Sequence, residues 1–404
     1  MHRIDLILRL AIAVEFVLMA STWRLWFCAT DFPRVPLVGL LLNVPVSVVR
    51  AASAAFMISL LAAAVSHWRQ RDRPGRFVSA ATVMLGSLVV LCHQHCLQPW
   101  HWLFLLTMTF RVTLSPESLL VVLQRLLACI YIFAAASRFG PEIDAGISRQ
   151  ILVTLLEMAG LKAAAADPQT VSWLCVIAAT AEFSTGVLLL LPRVQRMAMV
   201  AAVVMHVTLM AALGPTGLNQ YATVVIWNGY LAALILLLYS NRLGPRPAAR
   251  WSVTAATVLC FIWPALALFG VTDNWTGWQL YSPRPEVLHL QIHADAVEEL
   301  PPSVLSYIEE PSPLNEWCSV RIDQWSLRSA GVPVYPQARF QFAVAAAVSV
   351  GVSSQDHVKA RITRARSPKW WERQSEEFRG RSELTRAGNR LWLNSRSAAS
   401  GMGE

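Results

Sequence analysis

The sequence predicts an all-α polytopic membrane bundle of about nine transmembrane helices, followed by a small C-terminal β-rich extracytoplasmic domain. Three observations predict it. Hydrophobic residues make up 55% of the 404 positions and charged residues only 15%, where a soluble domain carries about a quarter. Apolar stretches of about 20 residues, enough to cross a bilayer, recur from the N-terminus to about residue 270. Beyond that point the chain turns polar and parts of it alternate with period two.

Taken in order, the predicted spans are about 4–28, 48–68, 77–93, 100–113, 118–138, 172–191, 197–213, 220–240 and 251–270. The first has the outline of a signal peptide. Asp5, Arg9 and Glu15 interrupt its apolar part, however, and no clean small-residue cleavage site follows, so it reads as a first helix. With the N-terminus cytoplasmic, RQRDRPGR, PRVQR and NRLGPRPAAR all fall inside and are arginine-rich, as the positive-inside rule requires, whereas GPTGLNQ on the other side has no Lys or Arg. Between the fifth and sixth spans, GISRQILVTLLEMAGLKAAAAD reads either as a helix lying along the outer interface or as an ordinary capped loop helix.

The domains then run 1–270 for the membrane bundle, 271–355 for the β-rich part and 356–404 for a charged helical or partly disordered tail. VLHLQIHADAV, SVRIDQWSL and QARFQFAVAAAVSV supply the expected strands. The formal net charge of +9 raises nucleic acid as a partner. No recognition module accompanies it and much of the charge lies in the last fifty residues, so the lipid bilayer is the expected partner instead.

Ionisable groups inside a bilayer are costly and each one is a candidate site. Counting about 1.5 Å per residue from the cytoplasmic helix ends puts Glu15, Glu182, His206 and Asn228 at one level near mid-bilayer. Glu182 and His206 lie on helices joined by a short turn, so they are expected to meet, either as a proton-handling or metal-supporting pair or as a tie between two helices. Arg125, nearer the cytoplasmic face, should snorkel or pair with a helix end.

The stretch CHQHCLQPWHW, residues 92–102, packs two cysteines and three histidines beside an apolar run. On a helix, Cys92, His93 and Cys96 would share a broad face able to chelate a metal. No second ligand pair follows, and the favoured reading is a helix ended by Pro99, with Trp100 and Trp102 in an aromatic belt and water satisfying the histidines. Seven scattered cysteines form no disulfide framework, although a bridge from Cys92 or Cys96 to Cys318 is open to them in an oxidising compartment.

RLLACIYIFAAASRFGPEIDAG, residues 125–146, resembles the most recognisable segment of the vitamin K-dependent gamma-carboxylase family and its bacterial relatives, the horizontally transferred transmembrane (HTTM) proteins: Tyr131, Ala134, Glu142 and Gly146 keep the family spacing. AEFSTGVLLLLPRVQRMAMVAAVVMHVTLMAAL, with its helix-borne glutamate, basic turn and later histidine, and NWTGWQLYSPRPE are similar to two further family segments. The resemblance covers about residues 1–290 and implies nine helices, a C-terminal domain outside a bacterial inner membrane, and a quinone or vitamin K-type hydroquinone as cofactor. It also makes His101, in WHWLF, the match to a family histidine. At the turn where the family's carboxylases carry a base lysine this chain has Ser137 and Arg138. An arginine stays protonated, so carboxylation is not expected. The expected roles are catalytic for Glu182, His206 and His101 and ligand-binding for Arg138, Asn228 and Glu15, with Arg138 holding an anionic group, in a quinone- or lipid-linked oxidoreductase. A membrane scaffold or a transporter is the other reading. A transporter would show helices broken in corresponding halves, and only Pro264 breaks one.

Overall fold

A computed structural model describes residues 2–68, 72–140, 142–240, 251–280, 282–283, 286–311, 315–364 and 374–391. The loop NRLGPRPAAR and the last ten residues, read above as a basic inside loop and a disordered end, lie outside the described residues. The helices are α1 (His2–Ser21), α2 (Trp23–Trp26), α3 (Val46–Trp68), α4 (Asp72–Cys92), α5 (Pro99–Thr113), α6 (Pro116–Ala136), α7 (Ile147–Met158) and α8 (Lys162–Ala166). They continue with α9 (Pro168–Leu189), α10 (Gln195–Leu213), α11 (Ala222–Tyr239) and α12 (Trp251–Leu268). The C-terminal region follows as β1 (Val287–His293), α13 (Pro302–Leu305), β2 (Ile308–Glu309), β3 (Trp317–Val320), α14 (Ile322–Ala330), α15 (Ala338–Ser349), β4 (Val358–Arg364), β5 (Gln374–Arg379) and α16 (Gly380–Asn389).

Among the described residues seven helices are long and apolar enough to cross a membrane: α3, α4 from Gly75, α6, α9, α10, α11 and α12. The chain is therefore built as a multi-pass membrane protein. Two of the nine predicted spans are not in this set: α5 has only 15 residues, and α1 carries Arg3, Asp5, Arg9 and Glu15. Capping chemistry sets where α6 and α9 begin. Ser115 and Asp167 each accept a backbone N–H of the first turn, from Ser118 and Thr170, and a proline follows each cap, where its missing N–H costs nothing.

The chain divides into two compact units, one of residues 1–21, 59–83 and 99–284, the other of residues 22–58, 84–98 and 285–404. In the first unit, Gly186 of α9 sits against α6: a Cβ there would lie 2.8 Å from Ile132 Cγ1 and 2.9 Å from the Ala128 carbonyl oxygen, so only glycine permits this approach. The charges of α1 are met by neighbours. Arg9 donates to the carbonyls of His67 (2.9 Å) and Trp68 (3.3 Å) at the C-terminal end of α3, where helical carbonyls have no helical partner, and Arg3 donates to the Leu237 carbonyl.

The second unit holds a five-stranded sheet in the order β2-β3-β1-β4-β5, every pairing antiparallel. Alternate residues Leu288, Leu290 and Ile292 of β1 are buried. Gln341 of α15 stitches its helix to this strand, accepting the Leu288 N–H at 2.7 Å and donating to the Glu286 carbonyl at 2.6 Å, while the Glu286 carboxylate accepts the Ala338 N–H at the start of α15. QARFQFAVAAAVSV is thus mainly a helix and not the strand its Arg-Phe-Gln-Phe alternation predicts, because the alanine run favours helix. SVRIDQWSL is strand only to Val320 before α14 begins. β4, β5 and α16 occupy ground read above as tail.

Candidate functional site

Among the described residues, the predicted site residues fall into three groups, all within the first unit. In the first, Arg138, two residues beyond α6, meets Glu182 of α9 in a forked ion pair, Nη1 to Oε2 at 2.5 Å and Nη2 to Oε1 at 3.4 Å. Both side chains are largely buried, 16% and 10% exposed, so the pair is far less screened than a surface salt bridge.

In the second, Tyr131 of α6, His206 of α10 and Asn228 of α11 form a chain. Asn228 donates its amide N–H to the Val224 carbonyl at 2.8 Å, which turns its carbonyl oxygen toward His206 Nδ1 at 2.9 Å. His206 must then carry its proton on Nδ1, leaving the Nε2 lone pair to accept the Tyr131 hydroxyl at 2.5 Å. All three side chains are buried. The phenol, the imidazole and the amide are thereby linked in one hydrogen-bonded chain across three helices.

In the third, the carboxylate of Glu15 on α1 accepts from His101 Nδ1 of α5 at 2.7 Å, both groups buried. Glu15 and His101 thus form a buried carboxylate–imidazole pair. The predicted Glu182–His206 contact is corrected: Arg138 takes the carboxylate, and Tyr131 with Asn228 takes the imidazole. Spacing along each helix does not give the angular position of a residue around the bundle, and that position decides the partner. Arg125, expected to snorkel or to reach a helix end, donates to Thr257 Oγ1 of α12 at 2.8 Å.

A cavity of about 250 Å³ opens beside the ion pair. Arg138 and Glu182 line it together with Cys175 and Ala179 of α9, Leu209 of α10 and Leu152 of α7. Helix α7 presents its apolar side there and packs Ile151 against Ala212 and Leu213. Glycines with left-handed backbone flank it, Gly146 at φ 69° and Gly160 at φ 78°. Arg138 Nε is buried with no acceptor among the described residues, a donor whose pairing a ligand could complete. Arg138 and Glu182 both line this cavity, and the guanidinium is already neutralised by the carboxylate and does not stand ready for an anion. Cys175 carried no signal in the sequence beyond its place on a helix face, and Tyr131 stood out only through the family resemblance, with no sign of its histidine partner.

The cluster CHQHC lies in the second unit and differs from its prediction. Pro99 starts α5, it does not end α4, and His93, His95 and Cys96 are buried. His95 Nε2 donates to the Pro333 carbonyl at 2.9 Å, with Ser326 Oγ at 3.3 Å, and its ring packs among Phe32 and Phe340. His93 Nδ1 faces two sulfurs, Cys96 at 3.6 Å and Cys28 at 3.9 Å. All seven cysteines are free thiols, Cys92, Cys96 and Cys318 included, and among the described residues no three His, Cys, Asp or Glu side chains are grouped to hold a metal.

Comparison of the chain with protein-family models, curated proteins and solved structures finds no match.

Proposed function

We propose that this membrane protein binds a lipid-soluble amphiphile in the cavity beside Arg138 and Glu182, with an HTTM-like arrangement of nine spans, the N-terminus cytoplasmic and the sheet domain outside the cell membrane. One observation carries the ligand site: an apolar cavity of about 250 Å³ that ends on a buried ion pair whose arginine retains an unpaired N–H. Sites for small molecules are mostly apolar with a few placed polar groups, and this volume suits the head of a ligand whose remainder stays in the bilayer. A neutral acceptor suits the pair better than an anion, because Glu182 would repel a second negative charge.

A quinone, which the family resemblance implies, fits these residues: its ring carbonyl could accept from Arg138 and its tail would remain in lipid. When bound it would supply two-electron redox chemistry. The protein's own part would be to orient the ring and, through the hydrogen-bonded Tyr131 and His206, to hold a proton near it. The 2.5 Å phenol–imidazole contact favours this second, oxidoreductase reading. Carboxylation stays outside the proposal because Ser137 and Arg138 stand where the family's base lysine would be.

The test is purification in mild detergent with native lipids retained, then mass spectrometry and absorbance for co-purifying compounds. A stoichiometric quinone or lipid that is lost in Glu182→Gln is the expected result. A ligand retained equally by Glu182→Gln and by Arg138→Met would overturn the site. Tyr131→Phe and His206→Ala should keep the ligand and lose quinone turnover; unchanged turnover would leave the binding reading and remove the redox one.

A further inference from the structure

A second cavity, of about 160 Å³, lies between α5, α6, α12 and the turn that follows α12. Its position follows from Pro264. A proline inside a helix has no N–H for the carbonyl four residues back, here that of Cys260, and the Cys129 thiol of α6 donates to that carbonyl at 2.7 Å. Next to this break the walls are formed by Trp102, Leu126, Leu259, Trp263 and Trp278. The Trp263 indole N–H donates to Thr276 Oγ1 at 3.0 Å, and that hydroxyl donates to the Asp273 carbonyl at 3.0 Å.

Among the described residues no charged side chain lines the space and its wall is almost wholly apolar, which suits a hydrocarbon guest better than a head group. Apolar cavities of about 150 Å³ stay dry and accept a benzene-sized apolar guest. Empty, the cavity would leave its wall atoms without dispersion partners. Its rim identifies the source of a guest. Leu259 and Trp263 line the cavity and are also 54% and 38% exposed, alongside Ile262 at 52% and Leu266 at 37%, on a helix whose length and composition suit a bilayer span. The cavity is continuous with the surface that lipid tails cover.

We propose that this cavity holds the end of a single hydrocarbon chain, entering from the bilayer past Leu259 and Trp263. The chain is either an acyl chain of a membrane phospholipid or an isoprenoid tail. The site is independent of the one beside Arg138, because it shares no lining residue with it.

The experiment uses the full chain in phosphatidylcholine vesicles carrying a diazirine at the end of one acyl chain, and in parallel vesicles containing a diazirine-tagged isoprenoid alcohol. Leu126 and Trp278 are each 1% exposed, so light-driven insertion there requires a chain inside the cavity, whereas insertion at Ile262 and Leu266 reports bulk lipid. The expected result is saturable insertion at Leu126 or Trp278 in at least one arm. It should fall about fivefold or more in Leu106→Trp, which fills the cavity, with insertion at Ile262 unchanged. Leu259→Trp, at the exposed rim, should give the same loss if the first variant does not fold. The arm that labels names the source. Insertion confined to Ile262 and Leu266 in both arms, or insertion at Trp278 that both fillings leave intact, would overturn the proposal.

Discussion

The ion pair between Arg138 and Glu182 is stabilising only while both partners are present. Removing one leaves a buried charge alone, which costs about 3 kcal/mol or more, whereas replacing both by apolar side chains removes the desolvation penalty as well. Glu182→Ala should therefore lower the unfolding midpoint in detergent sharply, and adding Arg138→Leu should recover most of the loss; additive losses would show that the two do not couple. A smaller effect belongs to Tyr131→Phe. It takes the hydroxyl from His206 Nε2 and should cost about 1 kcal/mol, in the range of single interhelical hydrogen bonds in membranes. These residues were visible in the sequence as costly groups in apolar surroundings. Their partners were not, because Glu15 and His101 are separated by 86 residues and no spacing rule links α1 to α5.

At the level of elements, the helices were the most legible part, since an apolar run of about 20 residues has little choice but to form one where no water can serve its backbone. The sheet was half legible. β1 shows the alternation of a strand with one buried face, whereas α15 hides a helix behind a short period-two motif, and β4 and β5 sit among charges that mark an exposed sheet edge as much as a tail. Close approach of α6 and α9 was not legible at all, because a glycine in an apolar helix carries no sign of what it faces. It is nonetheless testable. In Gly186→Ala the new methyl would meet the α6 backbone at 2.9 Å, and backbone cannot give way as a flexible side-chain end can. The helices must separate by some tenths of an ångström, at a cost of about 1–3 kcal/mol. Since Glu182 lies one turn away on the same helix, the shift should also loosen its grip on Arg138, so Gly186→Ala and Glu182→Ala should be less than additive in thermal unfolding.

For the molecule as a whole, the issue is how often the chain crosses the bilayer. Helix α5, at 15 residues, is about 22 Å long, short of a hydrocarbon core of about 30 Å. The residues before it can make up the difference only if their irregular backbone is enclosed by protein. Residues 93–98 meet that condition: all are buried, and the N–H groups of Gln94, Cys96 and Leu97 are taken by backbone carbonyls. Helix α1 is long enough, and Arg3, Arg9 and Glu15 each have a partner within the protein, so three of its charges no longer stand against a crossing. Nine crossings then place the loop at Leu40 outside and the end of α5 at Thr113 inside. Because α3 and α4 return the chain to one side, and α6 and α9 do the same, Leu40 and Thr113 lie on opposite sides only if α5 itself crosses. Leu40 is 90% exposed, and Thr113, Arg193 and Thr216 are also exposed, so each tolerates a single cysteine. In right-side-out vesicles a membrane-impermeant maleimide should label Leu40→Cys and Thr216→Cys and spare Thr113→Cys and Arg193→Cys. Labelling of Leu40→Cys and Thr113→Cys from the same face would make α5 a re-entrant helix and reduce the crossings to eight. The N-terminus and the sheet domain would then lie on one side, and the arginines of PRVQR would lie opposite the N-terminus.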